Sequence, residues 1–214
     1  MKIILTGATG MVGEGVLLEC LEDTDVSEVL IVSRRHYDLS HPKLKELLVP
    51  DFLHLENHAE QLSGYDACFY CAGISSIGMK EADYKKITYD TTISFAKTVL
   101  QKNPGLVFTF VSGRSTDSSE EGKVMWARVK GKTENELMKL GFKGAYNFRP
   151  ALMLPTPGQK SMKNSYKILA SILKYVMPKS ALTLKQVGKA MIHAVTKGYP
   201  KQVLEVEDIR KLAE

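Results

Sequence analysis

The amino-acid sequence predicts an α/β fold: one domain over residues 1–214, with a doubly wound parallel sheet in a three-layer α/β/α arrangement and a small C-terminal helical extension. Three observations predict it. Short apolar runs alternate with helical segments along the chain, as in successive βαβ units. Most of those runs are apolar throughout, as strands covered on both faces must be. The first run leads straight into three evenly spaced glycines, Gly7, Gly10 and Gly13, at the start of a helix.

Each element follows from local pattern. KIILT at 2–6 reads as a strand, and 12–21 as a helix with Val12, Val16, Leu17 and Cys20 on one face. EVLIVS at 28–33 is a second strand. HPKLKELL at 41–48 is expected to be a short helix with Pro42 in its first turn. DFLHL at 51–55 is expected as a third strand and ACFYCAG at 67–73 as a fourth. Residues 79–102 read as a long helix stopped by Asn103 and Pro104, and LVFTFVS at 106–112 as the fifth strand. Residues 120–140 are helical up to Gly141, a C-cap, and GAYNFR at 144–149 is the sixth strand. LPTPGQKSMKN is a loop. Helices are expected over 162–177 and 184–197, with a strand-like VLEV at 203–206. In such a sheet, ligands lie at the carboxyl ends of the strands.

Composition narrows the function classes. The 214 residues are 44% hydrophobic and 25% charged, which argues against disorder. A formal net charge of +5 suits an anionic ligand. It is too small and too scattered for nucleic acid, and no basic run is interleaved with aromatics. Cys20, Cys68 and Cys71 form no disulfide framework, and Cys68 and Cys71 sit three apart in a strand, facing opposite sides. Further metal ligands at metal-binding spacing are missing. A reducing, cytoplasmic location is expected. No signal peptide and no run of roughly 20 apolar residues is visible, so no membrane span is expected.

The glycines carry the first functional expectation. In TGATGMVG, Gly7 permits a tight turn, Gly10 lets a pyrophosphate approach the backbone, and Gly13 lets the helix pack closely. Thr9, Met11 and Val12 complete a loop whose helix N-terminus offers free N–H groups and positive dipole. About 20 residues beyond the last glycine, an NAD-preferring site places an acid. Here stand Ser33, Arg34 and Arg35, a hydroxyl and two guanidinium groups suited to a 2′-phosphate, so NADP is favoured over NAD. Arg34 is the main candidate. Asp51 and Phe52 could receive an adenine, or Phe52 could be plain core.

Taken in order, TGATGMVG, SRR, DF, CAG, FVSGRS, WARVKGKTE and FRPALML resemble the atypical or extended short-chain dehydrogenases/reductases, NAD(P)-binding proteins of Rossmann type with epimerase-like members. Within them the chain is most similar to the small Tat-interacting-protein-like reductases. The resemblance implies that Ser112 and Lys130 are catalytic and that Cys71, Ala72, Gly73, Lys130, Pro150 and Leu152, with Met153, contact the cofactor. It also implies a tyrosine four residues before Lys130, where this chain has Trp126. An indole donates a hydrogen bond but cannot act as an acid or base near pH 7. Losing a general acid typically costs about 100-fold to 10,000-fold in rate. Tyr70 and Tyr89 are the candidate substitutes, against packing roles for both, and Arg149 is either a nicotinamide-side residue or a structural ion-pair partner.

Three functions are compatible. The first is an NADP-dependent oxidoreductase on a small carbonyl or alcohol. The second is a non-catalytic NADP-binding sensor. The third is an epimerase of nucleoside-diphosphate sugars, disfavoured by the short stretch after Arg149 (about 150–214) that would form the substrate side. A monomer or a homodimer is expected, the latter through helices 79–102 and 120–140.

Overall fold

The computed structural model describes residues 1–161 and 180–214. The helix expected over 162–177 lies outside the described residues. The strands are β1 (Lys2–Thr6), β2 (Glu28–Ser33), β3 (Leu44–Leu48), β4 (Ala67–Tyr70), β5 (Val107–Val111), β6 (Gly144–Phe148), β7 (Leu152–Leu154), β8 (Ala181–Thr183) and β9 (Val203–Leu204). The helices are α1 (Met11–Glu22), α2 (Glu81–Lys85), α3 (Thr91–Lys102), α4 (Met125–Lys139), α5 (Leu184–Thr196) and α6 (Val206–Leu212). A π-helical turn, Lys86–Asp90, joins α2 to α3, and a 3-10 turn covers Glu56–Leu62.

The main sheet has seven strands in the order β3-β2-β1-β4-β5-β6-β9, every pair parallel. The order reverses between β1 and β4, which opens a crevice at the carboxyl ends of those strands. Strand alternation sends Ile3 and Leu5 to one face and Ile4 to the other. On the first face they meet Val16 and Leu17 of α1 and Val187 and Met191 of α5. On the second, Ile4, Tyr70, Phe108 and Phe110 meet Phe95 of α3 and Leu137 of α4. Each such fully buried side chain contributes about 1.5–3 kcal/mol of transfer free energy. The doubly wound three-layer expectation therefore holds.

Several expected boundaries are corrected. Residues 41–48 are not a helix: Leu44–Leu48 pairs with β2 from Val29↔Leu44 to Ser33↔Leu48. LKELL satisfies both a period of two and a period of about four, and only the open edge of β2 decides between them. Lys45 Nζ then reaches Glu28 at 2.7 Å across the strands. Residues 51–55 are not a strand either. Asp51 Oδ1 accepts the Leu53 N–H at 2.9 Å, closing an aspartate turn. The helix expected from 120 begins at Met125, because Asp117 holds the preceding residues as a loop, accepting from Ser119 N–H at 3.0 Å and Gly122 N–H at 2.7 Å. The β7–β8 pair and α6 were not foreseen.

Candidate functional site

Three adjoining lobes form one crevice at the carboxyl ends of β1, β2, β4, β5 and β6. The first, about 320 Å³, is lined by Gly7, Thr9, Gly10, Ser33, Arg34, Arg35, Phe52 and Cys71–Ile74. The second, about 370 Å³, adds Pro50, Asp51, Leu53, Tyr70, Lys86, Ile87 and Thr91. The third, about 360 Å³, adds Met11, Val12, Val111, Ser112, Gly113, Lys130, Pro150 and Met153. Apart from Gly13, Trp126, Leu152 and the alternatives Tyr89 and Arg149, the residues expected to serve the site thus line one crevice.

The glycine loop has the geometry its spacing predicts. Gly7 adopts φ +76, and a Cβ there would stand 2.7 Å from the backbone at Cys71 and Ala72. Only glycine accommodates both conditions. Gly13 lies beneath the crevice rather than on it, and a Cβ would overlap the Gly7 carbonyl. Gly10, the N-cap of α1, makes no side-chain cap and leaves the helix N-terminus available to an anion.

At the other side of this lobe, Ser33 Oγ donates to the Arg35 carbonyl at 2.6 Å. Its hydroxyl thereby shapes the turn that bears the arginines. Arg34 and Arg35 are exposed, and neither makes an ion pair with a described residue. Phe52 is core, 8% exposed and packed on Phe95 at 5.2 Å between centroids, and it also lines the crevice.

At the far end the expectations need revision. Ser112 lines the crevice, but its Oγ is turned to buried partners, 2.5 Å from Glu134 Oε1 and 3.1 Å from the Phe148 carbonyl. Lys130 Nζ donates to the Ser112 carbonyl, and burial pushes its pKa down from 10.5 to about 8, against the opposing pull of Glu134. Trp126 sits half-buried one helical turn before Lys130. Met153 lines the crevice and Leu152 does not, since neighbouring strand residues face opposite ways.

Neither substitute tyrosine stands beside Lys130. Tyr70 is 2% exposed and packs among Phe95, Phe108 and Phe110, where burial raises its pKa. Tyr89 has Lys85 and Lys132 over its ring at 5.2 Å and 5.3 Å. Lys132 is two residues beyond Lys130 and so faces away from it on α4. Among the described residues no cluster of three or more metal-ligating side chains occurs. His193, buried, bonds the Leu212 carbonyl at 2.6 Å through Nδ1.

Sequence reasoning missed the group that organises this end. Glu134 is fully buried on α4 and receives Arg149 through Nε at 3.0 Å and Nη2 at 2.5 Å. Arg149 also reaches Ser118 Oγ at 2.6 Å and Glu205 at 3.2 Å. Its ion-pair role is therefore the one observed. The acid after VKG and the arginine of FRP are two halves of one buried bridge, and that pairing was the available signal. The glycine of VKG has a separate cause: a Cβ on Gly131 would overlap the Asp117 carbonyl, so the loop before α4 rests directly on the helix.

Comparisons agree with this geometry. A rat protein, "Protein HTATIP2", is 26% identical over 156 residues, covering 72% of this chain and 63% of its own length, so this chain spans less than two thirds of that relative. "Protein FMP52-1, mitochondrial" of Scheffersomyces stipitis is 26% identical over 179 residues, covering 82% and 77%. A UDP-N-acetylglucosamine 4-epimerase from Methanobrevibacter ruminantium superposes with a TM-score of 0.70 at 14% identity, covering 95% of this chain and 75% of its own. The Bordetella bronchiseptica enzyme WbmF, solved in complex with NAD+, gives 0.67 at 14% identity, covering 99% and 76%. These likenesses establish the Rossmann-like fold. No helix among the described residues is long and apolar enough to cross a membrane. Residues 3–121 match the family profile itself, and the chain belongs to the NAD dependent epimerase/dehydratase family.

Proposed function

We propose that the protein is an NADP-dependent oxidoreductase of short-chain type acting on a small carbonyl or alcohol. One observation carries the reading: a single crevice has two guanidinium groups, Arg34 and Arg35, without an ion-pair partner among the described residues at one end and the Lys130 amine at the other. The residues fit the dinucleotide. Gly7, Gly10 and the N-terminus of α1 would hold its pyrophosphate, Arg34 and Arg35 a 2′-phosphate, and Pro150 and Met153 the nicotinamide side. When bound, the dinucleotide supplies or accepts a hydride.

The chain must then supply the proton. Two titratable side chains among the described residues line this lobe: burial pushes the Cys71 thiol up to about 12, whereas at neutral pH Lys130 holds a proton more loosely than an ordinary lysine. A pKa near the working pH is what a general acid needs. Lys130 Nζ would pass that proton to a substrate oxygen and regain one from solvent. Ser112 supports the amine through its carbonyl, and Trp126, one helical turn before Lys130, has no group that could take part in proton transfer.

A second reading is a non-catalytic NADP-binding protein. Trp126 and the inward Ser112 hydroxyl favour it, because binding survives while part of the expected proton machinery does not. Titration of NADPH and NADH, followed by fluorescence of Trp126, the single tryptophan, tests both readings. Micromolar NADPH binding with weaker NADH binding supports them, and no binding below millimolar overturns them. NADPH oxidation on a panel of aldehydes and quinones then separates enzyme from sensor.

A further inference from the structure

The glycine loop carries one residue that the crevice does not use. Glu14, in the first turn of α1, has no exposed surface. Its Oε1 accepts the Lys160 N–H at 2.7 Å and the Tyr37 hydroxyl at 2.9 Å. Its Oε2 accepts the Ser161 N–H at 2.8 Å and the Ser161 hydroxyl. No described cation pairs with it, and the Lys160 amine instead donates to the Asp38 carbonyl at 3.1 Å. Burial pushes the Glu14 pKa up, but the bonds from Ser161, Lys160 and Tyr37 outweigh it and hold the carboxyl below its usual range. The positive end of α1 favours the same charged state.

Three segments meet at this carboxylate: the phosphate cradle, the β2–β3 connection that bears Arg34 and Arg35, and residues 156–161. The last is a preformed strap. Thr156 N–H donates to Gln159 Oε1 at 2.7 Å, Gly158 turns the chain at φ +90, and Gln159 Nε2 donates to the Met11 carbonyl at 2.8 Å. The chain therefore runs from Pro150 and Met153, which line the third lobe, to the Met11 carbonyl at the start of α1. Pro157, Gly158, Lys160 and Ser161 are exposed, so little apolar burial holds the strap down. Its attachment is polar and converges mostly on one side chain.

We propose that Glu14 is a latch: its carboxylate holds the 156–161 strap against the first turn of α1, beside the crevice, and so sets how fast a bound dinucleotide leaves. The proposal rests on the dinucleotide reading above. Glu14 is a positioning residue, acting on the ligand through the strap. In Glu14→Gln one acceptor oxygen becomes an amide that points N–H groups at the Ser161 or Lys160 donors.

The test has a readout that needs no dinucleotide. Amide hydrogen exchange at Lys160 and Ser161 in Glu14→Gln should quicken on the order of tenfold to a hundredfold, relative to β1 amides in the same sample. NADPH dissociation, followed by stopped-flow Trp126 fluorescence, should quicken in step. Ser161→Ala, which leaves α1 untouched, should move both in the same direction by less. Unchanged exchange at Lys160 and Ser161 overturns the latch. So does faster exchange with unchanged NADPH release. If the unaltered protein binds no NADPH, the dinucleotide reading falls and the gating role with it; the exchange arm separates that outcome from a failure of Glu14 to hold the strap.

Discussion

Replacing Lys130 by methionine should make the protein more stable and less active. Burial lowers the pKa of this lysine from 10.5 to about 8. That difference corresponds to about 3 kcal/mol of penalty on the charged form. The amine lies at a part-buried crevice wall, so solvent relieves some of it, and about 2 kcal/mol is the working expectation. The sign follows from proton linkage. Below about pH 8 the folded protein carries the desolvated charge and the penalty is present in full. Between about 8 and 10.5 the unfolded chain binds more protons than the folded one, so stability rises with pH. Urea unfolding at pH 7 should therefore favour Lys130→Met by about 2 kcal/mol, and the gap should close by pH 10.5. The apolar variant also loses the bond to the Ser112 carbonyl, which trims the gain. A direct NMR titration of the Lys130 side chain provides the independent check. An amine titrating near 10.5, or a stability gap that persists at high pH, refutes both the burial argument and the proton-donor role built on it.

Other substitutions probe the remaining parts. Arg34→Ala should weaken NADPH by roughly tenfold to a hundredfold, the loss of one charge-assisted contact, and leave NADH nearly unchanged; equal loss of both refutes the 2′-phosphate role. Trp126→Tyr should raise carbonyl reduction by restoring a hydroxyl one turn before Lys130, measured as NADPH oxidation against an aldehyde and quinone panel. Glu134→Ala should cost about 3 kcal/mol in urea unfolding, because buried Arg149 loses its two-pronged partner and keeps only Ser118 and the half-exposed Glu205, while a paired apolar replacement of both residues should cost far less. Gly131→Ala should destabilise by about 2 kcal/mol or more, since its methyl meets the Asp117 backbone, which cannot yield as a flexible side chain would. A stable Gly131→Ala protein would show that the loop before α4 does not rest on the helix.

Much of the crevice was legible in the chain because its determinants are local. A glycine turn after a strand needs only neighbouring residues to define it, and so do two arginines after the next strand. The same holds for the strands themselves, where continuous apolar runs identify KIILT and LVFTFVS as doubly covered. Trp126, where the resemblance implies a tyrosine, was visible by its spacing from Lys130. Pattern failed where two periodicities fit the same letters, as in LKELL, and where a side chain recruits the backbone, as Asp51 and Asp117 do.

The sequence by itself determined the doubly wound sheet, the glycine turn that opens α1 and the spacing of Trp126 from Lys130, because each is written in short-range pattern. Tertiary structure alone decided that the Ser112 hydroxyl turns inward to Glu134, that Arg149 belongs to the same buried bridge, and that Lys130 is desolvated. It also decided that Glu14 joins the phosphate loop to a segment far along the chain. These facts depend on which residues approach across long separations, and on how much water that approach removes from each charge. Local sequence carries neither quantity.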